Sequence, residues 1–252
     1  MLRSIDHIVI LVGDLDAASA DYAALGFTVT PGGEHTGGET HNALVAFADD
    51  TYLELIAFKR TAPGHRWWRH GAAGGGLVDF ALLPGAIEQD IAAARERGVA
   101  YTGPVAGGRL RLDGQQVSWQ LGMPPSADLP FLCGDVTPRA LRVPTGAARQ
   151  HPNGVSGIAG LTVAVADLDA SAARYRALLG GDQAGPLFTL GAATIELAGP
   201  DSGGVRERLA ARGEGIHALA LRVDAAANAG PLDLGRTHGA LIELVADEGV
   251  KG

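Results

Sequence analysis

Apolar and polar positions along this chain change period in a recurring order. Residues 5–12, "IDHIVILV", form a β-branched run of strand length. Residues 14–25, "DLDAASADYAAL", favour a helix, with Asp14 or Asp16 placed to accept from the free N–H groups of its first turn and Gly26 to end it. "FTVT", a Gly-rich turn, "HNALVAFA", the turn "DD" and "TYLELIAF" follow. The pattern predicts β-α-β-β-β over residues 5–58.

The same order returns. Residues 5–25 shifted by 153 positions fall on residues 158–178 without a gap, and ten of the twenty-one positions are identical. They include Asp14/Asp167, Leu15/Leu168, Asp16/Asp169 and Tyr22/Tyr175, which are not compositional filler. Tyr52-Leu53-Glu54-Leu55 matches Thr194-Ile195-Glu196-Leu197, so a glutamate interrupts the last strand of both copies. Two weaker copies occupy residues 76–135 and 215–247. A shift of 72 places Asp79 opposite His7, and His217 takes the same place in the last copy. Alternation there puts Ala218, Ala220 and Arg222 on one face and His217, Leu219 and Leu221 on the other.

The chain therefore reads as an α+β protein of tandem βαβββ modules in two pairs. A first domain spans residues 1–136, with modules at about 5–58 and 76–135. Residues 137–154 carry three Pro and no periodicity and read as a connector. A second domain, truncated in its last module, spans residues 155–252.

Composition narrows the function classes. The 252 residues are 46% hydrophobic, enough for a sizeable core. The net charge of −8, with no basic stripe, argues against nucleic acid or an anionic membrane as partner. A single cysteine, Cys133, excludes an internal disulfide and a Cys-rich zinc site and fits a cytoplasmic setting. The N-terminal residues show no signal-peptide pattern, and no run of about 18 apolar residues predicts a membrane span. The expected partner is a small-molecule ligand, bound by a monomer or homodimer.

"IDHIVILVGDLDAA…YAALGF", "THNALVAFADDTYLELIAF" and "HPNGVSGIAGLTVAVADLDAS" resemble the glyoxalase-like branch of the vicinal oxygen chelate superfamily. The resemblance covers almost the whole chain and is strongest in modules one and three. It implies two glyoxalase-like domains, each a pair of modules joined edge to edge into a half-open cup. It also implies metal ligands from a His on the first strand and a Glu on the last strand of each paired module. In this sequence His7 and Glu54 match, and a divalent Fe, Mn, Co, Ni or Zn ion is the implied cofactor. The implied activity is that of a metal-dependent lyase, isomerase or dioxygenase acting on a small oxygenated metabolite. The alternative is a metal-free protein that binds or sequesters a drug or metabolite.

The ligand sets depart from the family pattern. The second module offers Asp79 and, near the second glutamate place, Gly134. The first cup thus has His7, Glu54 and Asp79. In the second pair Gly160 stands at the first place, which leaves Glu196, His217 and Glu243. His7 is equally well read as a buried histidine bonded to Asp79 or Glu54 across the cup. His41 starts a strand and is a candidate acid or base lining the cup, or a strand-start residue bonded to a neighbouring loop. Trp67 is a candidate pocket wall for a partly apolar ligand, and Asp79 a candidate substrate contact. His65 and His70, on the flanks of the Trp pair, read as solvated loop residues. The first cup, with full-length strands and the Trp pair, is the favoured site.

Overall fold

The computed structural model describes residues 1–181, 183, 185–224 and 228–246. The first two modules are complete. Module one runs β1 (Ser4–Leu11), α1 (Leu15–Ala24), β2 (Thr30–His35), β3 (Thr40–Ala46) and β4 (Tyr52–Phe58). A short helix, α2 (Trp68–Gly71), leads to module two: β5 (Gly76–Leu83), α3 (Ile87–Glu96), β6 (Thr102–Leu110), β7 (Gln116–Met123) and β8 (Phe131–Asp135). The strands order themselves β1-β4-β3-β2-β6-β7-β8-β5 and close. The expected half-open cup is thus a barrel. It closes through β1–β5 and through two residue pairs between β2 and β6, Glu34 with Leu110 and His35 with Arg109.

The second domain runs β9 (Val155–Ala164), α5 (Leu168–Leu179), β10 (Leu187–Leu190), β11 (Ala193–Ala198), α6 (Val205–Arg212), β12 (Gly215–Val223), β13 (Gly230–Pro231) and β14 (Ile242–Ala246). Its six strands take the order β10-β11-β9-β12-β14-β13, an open sheet. Among the described residues each module has one strand fewer than in the barrel, and no helix follows β12. Residues 247–252 of the expected second domain lie outside the described residues. No described helix is long and apolar enough to cross a membrane.

The repeated residues have visible work. Asp14 Oδ1 accepts from Asp16 and Ala17 N–H at 2.9 and 3.0 Å, so Asp14 and not Asp16 is the cap of α1. Asp167 caps α5 in the same way, accepting from Ala170 N–H at 2.9 Å. The repeated tyrosines join the domains reciprocally. Tyr22 donates to the Thr237 carbonyl in the second domain, and Tyr175 to the Asp128 carbonyl in the first, at 3.3 and 2.7 Å. Both phenols are fully buried in one continuous core formed by the helices and outer sheet faces of both domains. The hydroxyls need partners there, which explains a Tyr where Phe would otherwise serve.

The connector is not irregular throughout. It contains α4 (Arg139–Arg142) and a 3-10 turn (Gly146–Arg149). Through α4 it closes one end of the barrel, as the site below shows.

Candidate functional site in the first barrel

Alternation on the barrel strands sends one set of side chains outward to the core and the other inward. On β4, Leu53, Leu55 and Ala57 join the core, while Tyr52, Glu54 and Ile56 line an internal cavity of about 300 Å³. On β1, a register shift between Ile5 and His7 breaks the alternation, so the adjacent Asp6 and His7 meet. His7 Nδ1 lies 2.6 Å from Asp6 Oδ2. The His7 ring stacks on Tyr52 with centroids 4.6 Å apart and meets the Phe131 ring edge-on at 5.3 Å.

Asp6 has no solvent exposure, and two guanidiniums from α4 compensate it. Arg142 donates to both Asp6 oxygens at 2.7 and 2.9 Å, to Tyr52 Oη at 2.8 Å and to Asp135 at 2.5 Å. Arg139 donates to Asp6 at 2.6 Å. Burial pushes the Asp6 carboxyl up, but the charge of Arg142 and the His7 contact outweigh it and hold the group well below its usual range.

Glu54 is the centre of the cavity floor. Its Oε1 accepts from Asn42 Nδ2 at 2.6 Å and lies 3.2 Å from His35 Nε2, while Oε2 lies 3.6 Å from His7 Nε2. Burial raises its pKa, but the His35 hydrogen bond, the fields of His35 and His7 and the Asn42 bond prevail, and the group titrates at about 2. His35 Nδ1 is held by Thr40 Oγ1 at 2.9 Å. Trp67, Trp119 and Phe131 form aromatic walls around this floor, with Arg109 beside His35 across the β2–β6 pairing. Gly107 pairs with Trp119, and a Cβ there would collide with the indole.

The structure brings together only part of the expected set. His7, Glu54 and Trp67 share the cavity. Asp79 does not join His7: it pairs with Val9, two residues along β1, while His7 pairs with Ala81. Its Oδ2 accepts from Trp67 Nε1 at 2.8 Å and from Arg66, and its Oδ1 from Phe80 N–H at 2.9 Å. Asp79 therefore anchors the Trp67 indole and the Arg66 guanidinium. His41 is also outside the cavity. Thr40 lines the cavity and Asn42 bonds Glu54, so the period of two turns His41 to the other face of β3. His70 is buried and His65 half-buried, not solvated. Burial, then Arg69, Arg212 and Arg208, push the His70 imidazole down to about 4.

In the second domain Glu196 and Glu243 do share a groove, of about 520 Å³, along the open sheet with Gly160, Ala218 and Ala220. Both carboxylates are exposed. His217 is not with them. The β9–β12 register skips it, and it lines a separate hollow with Gly204, Arg208 and Arg212. The larger groove thus lacks an imidazole, which the smaller cavity of the first barrel has.

A family model described as "Glyoxalase-like domain" matches residues 5–179. The chain belongs to this glyoxalase-like family. No curated protein matches it in sequence. A hypothetical protein from Staphylococcus aureus superposes with TM-score 0.74 at 15% identity, covering 96% of this chain and 98% of that one. A mutant of 4-hydroxymandelate synthase from Streptomyces coelicolor superposes with TM-score 0.67 at 17% identity, covering 100% and 95%. A xylose isomerase-like TIM barrel/4-hydroxyphenylpyruvate dioxygenase fusion protein matches with TM-score 0.62 at 15% identity, covering 100% of this chain and 50% of that chain. At these identities the neighbours establish the vicinal oxygen chelate fold and no more.

Metal donors can be weighed from the side chains themselves. Asp6, His7 and Cys133 are the one compact trio of such donors among the described residues. They do not suit a cation, because two guanidiniums already cover Asp6 and burial pushes the Cys133 thiol up to about 12. His7 and Glu54 suit one better, while His35 does not form a compact trio with them. His7 Nδ1 is bonded to Asp6, and its Nε2 faces Glu54 across a gap of 3.6 Å, too long for a hydrogen bond. Two donors at about 2.0–2.2 Å from a shared ion span such a gap. His35 was not legible as a site residue, since its place on β2 has no counterpart in the family pattern.

Proposed function

We propose that the first barrel binds a small oxygenated metabolite above Glu54 and acts on it with a divalent metal held by His7 and Glu54. The observation that carries this reading is His7 itself: one ring nitrogen is fixed by Asp6 and the other faces a buried carboxylate at 3.6 Å. An imidazole and a carboxylate are donors suited to first-row transition metals. Such an ion would supply Lewis-acid activation of adjacent substrate oxygens, the chemistry of lyases, isomerases and dioxygenases.

The chain's own residues have separable roles. Glu54, ionised throughout the neutral range, serves as an anionic anchor, because a carboxyl titrating near 2 is a poor proton acceptor. Asp6 and Thr40 orient the two imidazoles through their Nδ1 atoms. Trp67, Trp119 and Phe131 exclude water over the floor, with Asp79 locking Trp67 in place.

Calorimetric titration of the whole chain with Mn, Co, Ni and Zn tests this. Binding is expected at about pH 7.5, weakening at about pH 5.5 as proton and metal compete for imidazole. His7→Ala with Glu54→Ala should abolish it. Heat that survives both substitutions would show that the ion sits elsewhere. A metal-free binding protein is the second reading, favoured by Glu54 already accepting from Asn42 and His35. It predicts no heat with any of the four ions.

A further inference from the structure

Buried guanidiniums are costly unless a counter-charge or a full set of acceptors meets them. Around the barrel, Arg142 and Arg139 are met by Asp6 and Asp135, and Arg66 by Asp79. Arg208, at the junction of the domains, is met by the carbonyls of Ile216 and Gly213. Arg109 differs. It is 3% exposed, and among the described residues no carboxylate lies within ion-pair distance of it. Its one hydrogen bond runs from an Nη2 to the Arg142 carbonyl at 2.6 Å, and its Nε has no partner. The side chain lines the same cavity as Trp67, Trp119 and Phe131, and also a separate hollow with Thr30, Pro31 and Arg111.

We infer that Arg109 receives the carboxylate of the ligand, and that the first barrel takes small planar carboxylic acids whose ring or conjugated plane lies among Trp67, Trp119 and Phe131. The inference rests on reading this cavity as the ligand site, but not on a bound metal. Three features carry it. A guanidinium with unused donors matches a carboxylate in shape and charge. Aromatic walls favour a flat apolar body over a flexible polar one. A cavity of about 300 Å³ is at the small end of ligand sites and has room for one ring with short substituents, not for a nucleotide.

The test uses the full chain in excess chelator, so that a carboxylate cannot bind through a metal. Quenching of tryptophan fluorescence reports titrations with benzoate, cinnamate and their neutral amides. The acids should bind at least about thirtyfold more tightly than the amides, as expected for a desolvated charge pair. Arg109→Gln should remove that preference, and Arg109→Lys should keep part of it. Should Arg109→Gln fail to fold, the acid–amide comparison on the unmutated protein still decides. Acids and amides binding alike, no binding of either, or an acid preference that survives in Arg109→Gln would each overturn the assignment. Metal binding through His7 and Glu54, measured separately without chelator, would leave the proposed chemistry standing in each of those cases. Acid binding through Arg109 in a protein that takes up no metal would uphold Arg109 and remove the metal.

Discussion

The barrel and the open sheet begin from the same unit and end differently. β1 and β9 each lead through an Asp-capped helix that carries the reciprocal Tyr22 or Tyr175, and both sheets place a parallel last strand, β4 or β11, beside the first. Among the described residues the difference is one strand per module. With β2 and β6 present, the two edges meet and the sheet closes around Glu54, leaving it 6% exposed. Without their counterparts, Glu196 and Glu243 project from an open sheet into water. The same residue type at the same strand position is therefore a buried anion with three polar neighbours in one domain and a solvated side chain in the other. Enclosure, not the glutamate, makes the site.

The largest way to break this contrast is at the plug. Arg142→Met leaves Asp6 buried with half of its compensation gone, and should cost about 3–5 kcal/mol in denaturant unfolding. Asp6→Asn combined with Arg142→Met should recover part of that loss. A double variant no more stable than the single one would show that the plug is held by packing and not by charge.

A smaller effect separates the domains by pH. His70 titrates at about 4 in the folded chain against about 6.5 when unfolded, so the unfolded state takes up its proton first. Stability should fall as pH drops from about 6.5 towards 4. His70→Gln should flatten the thermal-melting profile over that window. An unchanged slope would mean that His70 is protonated in the folded chain.

The smallest expected effect sharpens the contrast from the other side. Glu196→Gln with Glu243→Gln should change unfolding by no more than about 0.5 kcal/mol and leave ligand and metal titrations as they are. A lost titration would move the site to the open sheet.

Much of the fold was legible in the residues, and part of the site. The 153-residue shift exposes the repeat, because strand, Asp cap and helix are local features. His7 and Glu54 were read from the family pattern and Trp67 from the link before α2, and all three line the cavity. The misses share a cause. On β3 Asn42 faces the cavity and His41, half-exposed, turns away from it, and both are polar residues, so polarity alone does not separate His41 from Asn42. On β6 the usual reading is inverted. Leu110 is 51% exposed and Arg109 is buried, because the strand's inner face is a binding cavity and its outer face meets water. Asp79 was displaced by a register in which His7 pairs with Ala81, which only the sheet defines.

The sequence by itself determined the module order, the helix caps, the truncation of the last module and the two residues, His7 and Glu54, that the family pattern marks. These depend on neighbours in the chain or on a repeat that the chain carries openly. The tertiary structure alone decided that the first sheet closes, that Arg142 from the connector compensates Asp6, and that His35 and Arg109 meet beside Glu54. Those residues lie between about 20 and 135 positions apart, and their contacts arise only when strands far apart in sequence pair in one register. Register is set by the sum of core burial over many residues and not by any single side chain.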